Sequence, residues 1–117
     1  MAPPPLRGRL GPGAAAPAEG ERFTPLLELP GATIEQILSG ALAEPASFEQ
    51  AHDEWVAVLE GRARMLVDGA ELELEAGDWL LLPAGCPHSV LETQPGTSWL
   101  AVHLAERGEG ASRAPGV

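Results

Sequence analysis

The residues of this chain best suited to chemistry are one acid set in an apolar run and three histidines. Glu54 opens the run Glu54-Trp55-Val56-Ala57-Val58-Leu59-Glu60, and a carboxylate buried among Trp55, Val56 and Val58 needs a partner. His88 ends the string Gly77-Asp78-Trp79-Leu80-Leu81-Leu82-Pro83-Ala84-Gly85-Cys86-Pro87-His88, in which Gly77-Asp78 turns the chain into a short apolar strand and Pro83-Ala84-Gly85 turns it out again. His103 closes Trp99-Leu100-Ala101-Val102-His103, where strand parity puts Trp99, Ala101 and His103 on one face. His52 falls two residues before Glu54. Strict parity would place it on the face of Glu54, whereas its position beside Asp53 suits the solvated turn leading into that strand. A carboxylate with imidazoles can transfer protons, Glu54 or His52 being the candidate acid or base, and can ligate a metal ion. Cys86, two residues from His88, could form a thiolate–imidazole pair, but neither an oxyanion donor nor an orienting third group accompanies it, so it reads as a spectator.

Composition removes other classes. All seven cationic residues are arginines, so Schiff-base chemistry is absent, and without tyrosine there is no phenolic acid or base. Seventeen carboxylates give a net charge of -10, which repels nucleic acid and anionic lipid. A lone cysteine permits no internal disulfide and points to a reducing cytoplasm. Trp79 to Leu82 is far too short to span lipid, and no apolar stretch follows Arg7 and Arg9, so a soluble, untargeted protein is expected.

The elements that must position these side chains are short. Turn signals at Pro30-Gly31, Gly40, Pro45, Gly61, Asp68-Gly69, Gly77, Pro83-Ala84-Gly85, Pro87 and Pro95-Gly96 cut the chain into runs of strand length, and an all-β domain follows. Around Asp68-Gly69 a two-residue turn would pair Val67 with Ala70, Met65 with Leu72, Arg64 with Glu73, Ala63 with Leu74 and Arg62 with Glu75. The apolar pairs then share one face and the opposite charges the other. The runs at Glu54 to Glu60, Trp79 to Leu82 and Trp99 to Leu104 are apolar on both faces, which predicts cover from a second layer or a second subunit and hence a homodimer. Thr33 to Leu38 reads as a strand although Ile34, Ile37 and Leu38 also fit helical spacing. Residues 1–20 and 107–117, rich in Ala, Gly and Pro, read as disordered tails around one domain at 21–106.

The string from Gly77 to His88 is similar to the second motif of the cupin family, G-x5-P-x-G-x2-H, at every fixed position. Glu54 and Gly61 resemble the E-x6-G end of the first cupin motif, in the expected order with the hairpin between. This resemblance, covering residues 21–106, implies a double-stranded antiparallel β-barrel of jelly-roll type. In cupins, two histidines before the Glu join His of the second motif on a divalent metal. Here Phe48 and Gln50 occupy those two positions, so Gln50, Glu54 and His88 carry over, with the neutral amide oxygen of Gln50 in place of an imidazole. His103, if it points into the barrel, completes a set of Gln50, Glu54, His88 and His103 suited to Fe(II), Mn(II), Ni(II) or Zn(II). The resemblance implies either a metal-dependent enzyme acting on a small organic molecule, through dioxygenation, isomerisation or decarboxylation, or a non-catalytic cupin that binds a small ligand. An interaction module with the barrel filled by Phe48, Met65 and tryptophan is the third reading. Trp55 and Trp99 are expected to flank the pocket.

Overall fold

The computed structural model describes residues 2–105, so the tail expected over 107–117 lies outside the described residues. Nine strands follow a short 3-10 turn at Gly13–Ala15: β1 Glu21–Leu29, β2 Ala32–Ser39, β3 Ala46–Phe48, β4 Glu54–Glu60, β5 Arg62–Val67, β6 Ala70–Glu75, β7 Trp79–Leu82, β8 His88–Thr93 and β9 Thr97–Leu104. They form a five-stranded sheet, β1-β2-β9-β4-β7, facing a four-stranded sheet, β3-β8-β5-β6, with every strand pair antiparallel. This is the all-β domain that the strand lengths and turn spacing predict, in the double-stranded antiparallel barrel of jelly-roll type that the resemblance implies.

The hairpin takes the predicted register pair for pair, from Val67 opposite Ala70 to Arg62 opposite Glu75. Its turn places Asp68 at φ 48° and Gly69 at φ 85°, the left-handed pair that a tight hairpin needs and that Asp-Gly tolerates. Arg64 is directly opposite Glu73, yet its guanidinium pairs with the diagonal Glu71 at 3.0 Å and with Glu92 of β8 at 3.4 Å. Thr33 to Leu38 lies within β2, a strand as expected despite the helical spacing of Ile34, Ile37 and Leu38.

Alternate residues of the two sheets meet in a core around Val58, Met65, Trp99 and Ala101, each no more than 3% exposed. Gly61, at φ +84°, links β4 to β5 where a Cβ would stand 2.9 Å from Cα of buried Thr97. The glycine of the first motif is therefore fixed by backbone conformation and by close approach together.

The opposite face of the large sheet is apolar too. Register aligns Leu27, Ile34, Val102, Trp55 and Leu81 in one row across its five strands. Trp79 is 60% exposed and Leu81 51%, so in the single chain the outer face of β7 is open. Trp55, expected at the pocket, lies instead on this outer face against Trp79, with ring centroids 6.2 Å apart. Residues 11–20, which composition placed in a tail, hydrogen-bond to the barrel. Gly11 and the amide of Gln36 exchange two bonds of 2.9 and 2.8 Å, and Ala41 N donates to Ala18 O at 3.0 Å.

Candidate functional site

The second motif works first as a clamp. In the Pro83-Ala84-Gly85 turn, Ala84 N donates to Asp53 Oδ1 at 2.8 Å and Gly85 N to Gln50 O at 2.8 Å. Leu104 N adds a bond to Asp53 O at 2.9 Å. The segment carrying Gln50 to Asp53 is thereby held against the turn before β8 and the end of β9, which brings the two half-motifs together.

Glu54, first in β4, stands opposite His103 of β9 and Leu82 of β7. His88, first in β8, stands opposite Phe48 and stacks on its ring at 5.6 Å. Both Glu54 and His88 are buried. His88 Nδ1 donates to Cys86 O at 3.1 Å, so in the neutral ring Nε2 carries the lone pair, and that atom lies 4.0 Å from Glu54 Oε1. His103 does point inward. Its Nε2 is 3.9 Å from Glu54 Oε2. The same Nε2 is 2.6 Å from Glu35 Oε2, and Nδ1 is 2.9 Å from His52 Nε2.

Burial pushes the Glu54 pKa up, His103 and His88 oppose the rise, and the neighbouring Glu35 carboxylate reinforces it. The Gln50 side-chain oxygen is buried without a hydrogen-bond partner. Glu54 likewise accepts no hydrogen bond among the described residues, and its carboxylate oxygens stand 4.0 and 3.9 Å from the two imidazoles.

Gln50, Glu54, His88 and His103 line one cavity of about 60 Å³, together with Glu35, Glu21 and apolar side chains that include Phe48, Met65 and Trp99. That is room for about two waters, in a cavity that opens to solvent, where a longer molecule can extend outward. The barrel is thus not filled by Phe48, Met65 and tryptophan. Trp99 flanks the cavity as expected. His52 lies outside this lining, in the bend leading into β4 as expected, on a surface groove that His103 also borders, and it is tied to the site through the His103 ring. Burial and the Asp68 charge push the Cys86 thiol up, which fits its reading as a spectator.

Glu35 and Glu21 are cavity residues that the sequence reading missed, Glu35 being the one in contact with His103. Glu35 lies in β2, whose apolar residues also fit a helix, and it belongs to neither half-motif. Its inward direction is set by the β2–β9 register, which puts Glu35 opposite Ala101 and Thr33 opposite His103. Parity with inward Ile37 was the available signal.

A divalent ion, implied by the motifs, can be tested against these donors. Two donors bound at about 2.0 to 2.2 Å to one ion stand at most about 4.4 Å apart. Glu54 Oε1 and His88 Nε2, 4.0 Å apart, fall inside that limit, whereas His103 Nε2, 3.9 Å from Glu54 Oε2, donates to Glu35 at 2.6 Å and would have to give up that bond to ligate. The unpartnered Gln50 oxygen is the donor such an ion would satisfy. The fit is one of donor chemistry, because among the described residues no three His, Cys, Asp or Glu side chains form a metal-holding group.

The family model described as Cupin domain matches residues 33–103. A Ralstonia eutropha JMP134 protein called a "putative mannose-6-phosphate isomerase" is 42% identical and superposes with a TM-score of 0.74, covering 86% of this chain and 98% of that one. A cupin superfamily protein of Desulfitobacterium hafniense DCB-2 superposes with a TM-score of 0.64 at 19% identity, over 87% of this chain and 94% of its own. The Schizosaccharomyces pombe Cnp3 cupin domain gives 0.66 at 15% identity, over 74% and 65%. These last two share the fold. Comparison with curated proteins gives no match.

Proposed function

The chain belongs to the cupin family, and from that premise we propose that its barrel holds a divalent cation through Gln50, Glu54, His88 and His103 and binds or transforms a small organic molecule beside it. The observation that carries this reading is the buried Gln50 Oε1, which has no hydrogen-bond partner, in a cavity it shares with the buried Glu54 carboxylate and inward imidazoles. Fe(II), Mn(II), Ni(II) and Zn(II) all suit such a donor set. The chemistry the cation supplies is Lewis-acid polarisation of a ligand oxygen. Glu54, facing the cavity, is the group that takes up or gives the proton of the reacting molecule. His52, in contact with Nδ1 of His103, is the second proton carrier, on the groove side of that ring.

The name of the Ralstonia relative suggests sugar isomerisation, a proton shift between neighbouring carbons that one carboxylate can carry. The second reading is a metal-free cupin that binds a small ligand or serves as an interaction module. Phe48 and Gln50 at the two missing histidine positions favour it, as does the engagement of both His103 nitrogens. In either case a homodimer formed through the outer face of the large sheet is proposed, supported by the exposed Trp79 and Leu81. Among the described residues no helix is long and apolar enough to cross a membrane, and a cytoplasmic setting is proposed from the lone thiol.

Metal analysis of protein purified without chelators or a metal-binding tag separates the two readings. Near one equivalent per chain, falling sharply in His88→Ala, is expected. A metal-free wild type would leave the second reading.

A further inference from the structure

We propose that the ligand of the barrel is a small molecule with an apolar body and a hydrogen-bond-donating, non-anionic head group, an amine above an alcohol, and that Glu21 selects it. This rests on the reading of the cavity as the ligand site and names the class of molecule that the site takes.

The cavity wall is rich in acceptors, and the ring N–H groups of its two histidines are already engaged, His88 with Cys86 O and His103 with Glu35. The wall carries the carboxylates of Glu21, Glu35 and Glu54 and the unpartnered oxygen of Gln50. The chain has no lysine, and among the described residues no arginine lines this wall. Arg22 donates to Ala15 O outside the barrel, Arg64 is held by Glu71 and Glu92, and Arg62 lines a separate groove on the small sheet. Phosphate or carboxylate recognition depends on such cationic forks. An anion entering here would set its acceptors against acceptors and its charge against carboxylates.

Glu21 is built into this wall. It pairs with Ser39 at the first position of β1, four residues along β2 from Glu35. Its Oε2 accepts from Ser39 Oγ at 2.7 Å, and Ser39 Oγ in turn accepts from the indole nitrogen of Trp99 at 3.0 Å. That chain orients the carboxylate, while Oε1 accepts no hydrogen bond among the described residues. Burial pushes the Glu21 pKa up, so the ionised group lacks the solvation that a cationic head would restore. Phe23, Ile37, Phe48 and Met65 supply apolar wall beside it, and the two phenylalanine rings suit an ammonium as well as an alkyl chain. A sugar phosphate, as the name of the Ralstonia relative would suggest, finds no arginine or lysine side chain in this wall.

Calorimetric titration of the full chain with n-butylammonium, n-butanol and n-butyl phosphate tests the proposal, since the probes differ in the head group alone. Butylammonium should bind more tightly than butanol, and butyl phosphate should give no heat of binding. Glu21→Gln should weaken butylammonium by about tenfold, the worth of one charge-assisted hydrogen bond, and leave butanol nearly unchanged. Glu28→Gln, which removes an exposed carboxylate from the same strand, should change neither. Butyl phosphate binding as tightly as butylammonium, an unaltered butylammonium affinity in Glu21→Gln, or no binding of any probe would overturn it. A Mn(II) titration of the same preparation keeps the two readings apart. Butylammonium binding without Mn(II) uptake removes the cation reading and leaves this one, whereas Mn(II) uptake with no probe bound does the reverse.

Discussion

Glu54 and His103 face each other across the β4–β9 pair, in register, with carboxylate and imidazole 3.9 Å apart inside the barrel. At that distance they attract without sharing a proton, because Nε2 of His103 is taken at 2.6 Å by Glu35. The buried carboxylate of Glu54 is left facing the cavity, which makes the site acceptor-rich.

Gln50→Leu should separate stability from binding. Removing a buried acceptor that has no partner is expected to stabilise the metal-free protein by about 1 kcal/mol, since no hydrogen bond is lost and a desolvation penalty is relieved. The same change should lower divalent cation affinity at least severalfold. Urea unfolding and a Mn(II) titration read the two effects, and a variant both less stable and equally able to bind would contradict the role given to Gln50.

Gly61→Ala should be among the most damaging single-methyl additions in the chain. A side chain at φ +84° is strained, and the new Cβ meets buried Thr97, so a loss of about 2 kcal/mol or more is expected in chemical denaturation. Gly69→Ala, at φ +85° with open space around it, should lose less, because it carries the strain without the clash.

Glu21 sets a pH dependence. Burial raises its folded pKa above the ordinary 4.5, with the Ser39 hydrogen bond acting the other way. The folded chain therefore holds the proton more tightly than the unfolded chain, and stability falls as pH rises from the unfolded value through the folded one. Above that window the penalty is constant, and below it the penalty vanishes. Urea midpoints of the wild type from pH 4 to 7, compared with Glu21→Gln, should show a difference that grows in favour of the variant as pH rises. The opposite trend would contradict the assignment.

The outer face of the large sheet should mediate self-association. Leu81→Asp, alone or with Trp79→Ser, places polarity on exposed positions that touch neither core nor cavity. Sedimentation should find a dimer for the wild type and a monomer for the double variant at the same concentration, with the circular dichroism of the fold unchanged. A wild type that sediments as a monomer would end the dimer proposal.

Much of this architecture is legible in the residues because local chemistry and long-range pairing agree. The Asp68-Gly69 turn fixes its own register, and the alternation of Ala63, Met65 and Val67 with Arg62 and Arg64 fixes the face, so all five predicted cross-strand pairs occur. His88 and Glu54 were legible through turns of defined geometry. Glu35 was not, since β2 carries branched residues at both strand and helix spacings and its inward face is decided by β9, more than sixty residues away. Trp55 was misplaced for a related reason: on a strand apolar on both sides, composition cannot say which face is the inner one. The register with Val102 and Leu81 decides it. His52 falls in the bend before β4, where parity does not apply.

The bonds from Ala84 and Gly85 to Asp53 and Gln50 join chain segments some thirty residues apart. A compound lodged in the barrel should make that latch open less often, so these two amides should exchange with deuterium more slowly when the protein is occupied. They offer a built-in gauge for screening compounds in the absence of any turnover assay.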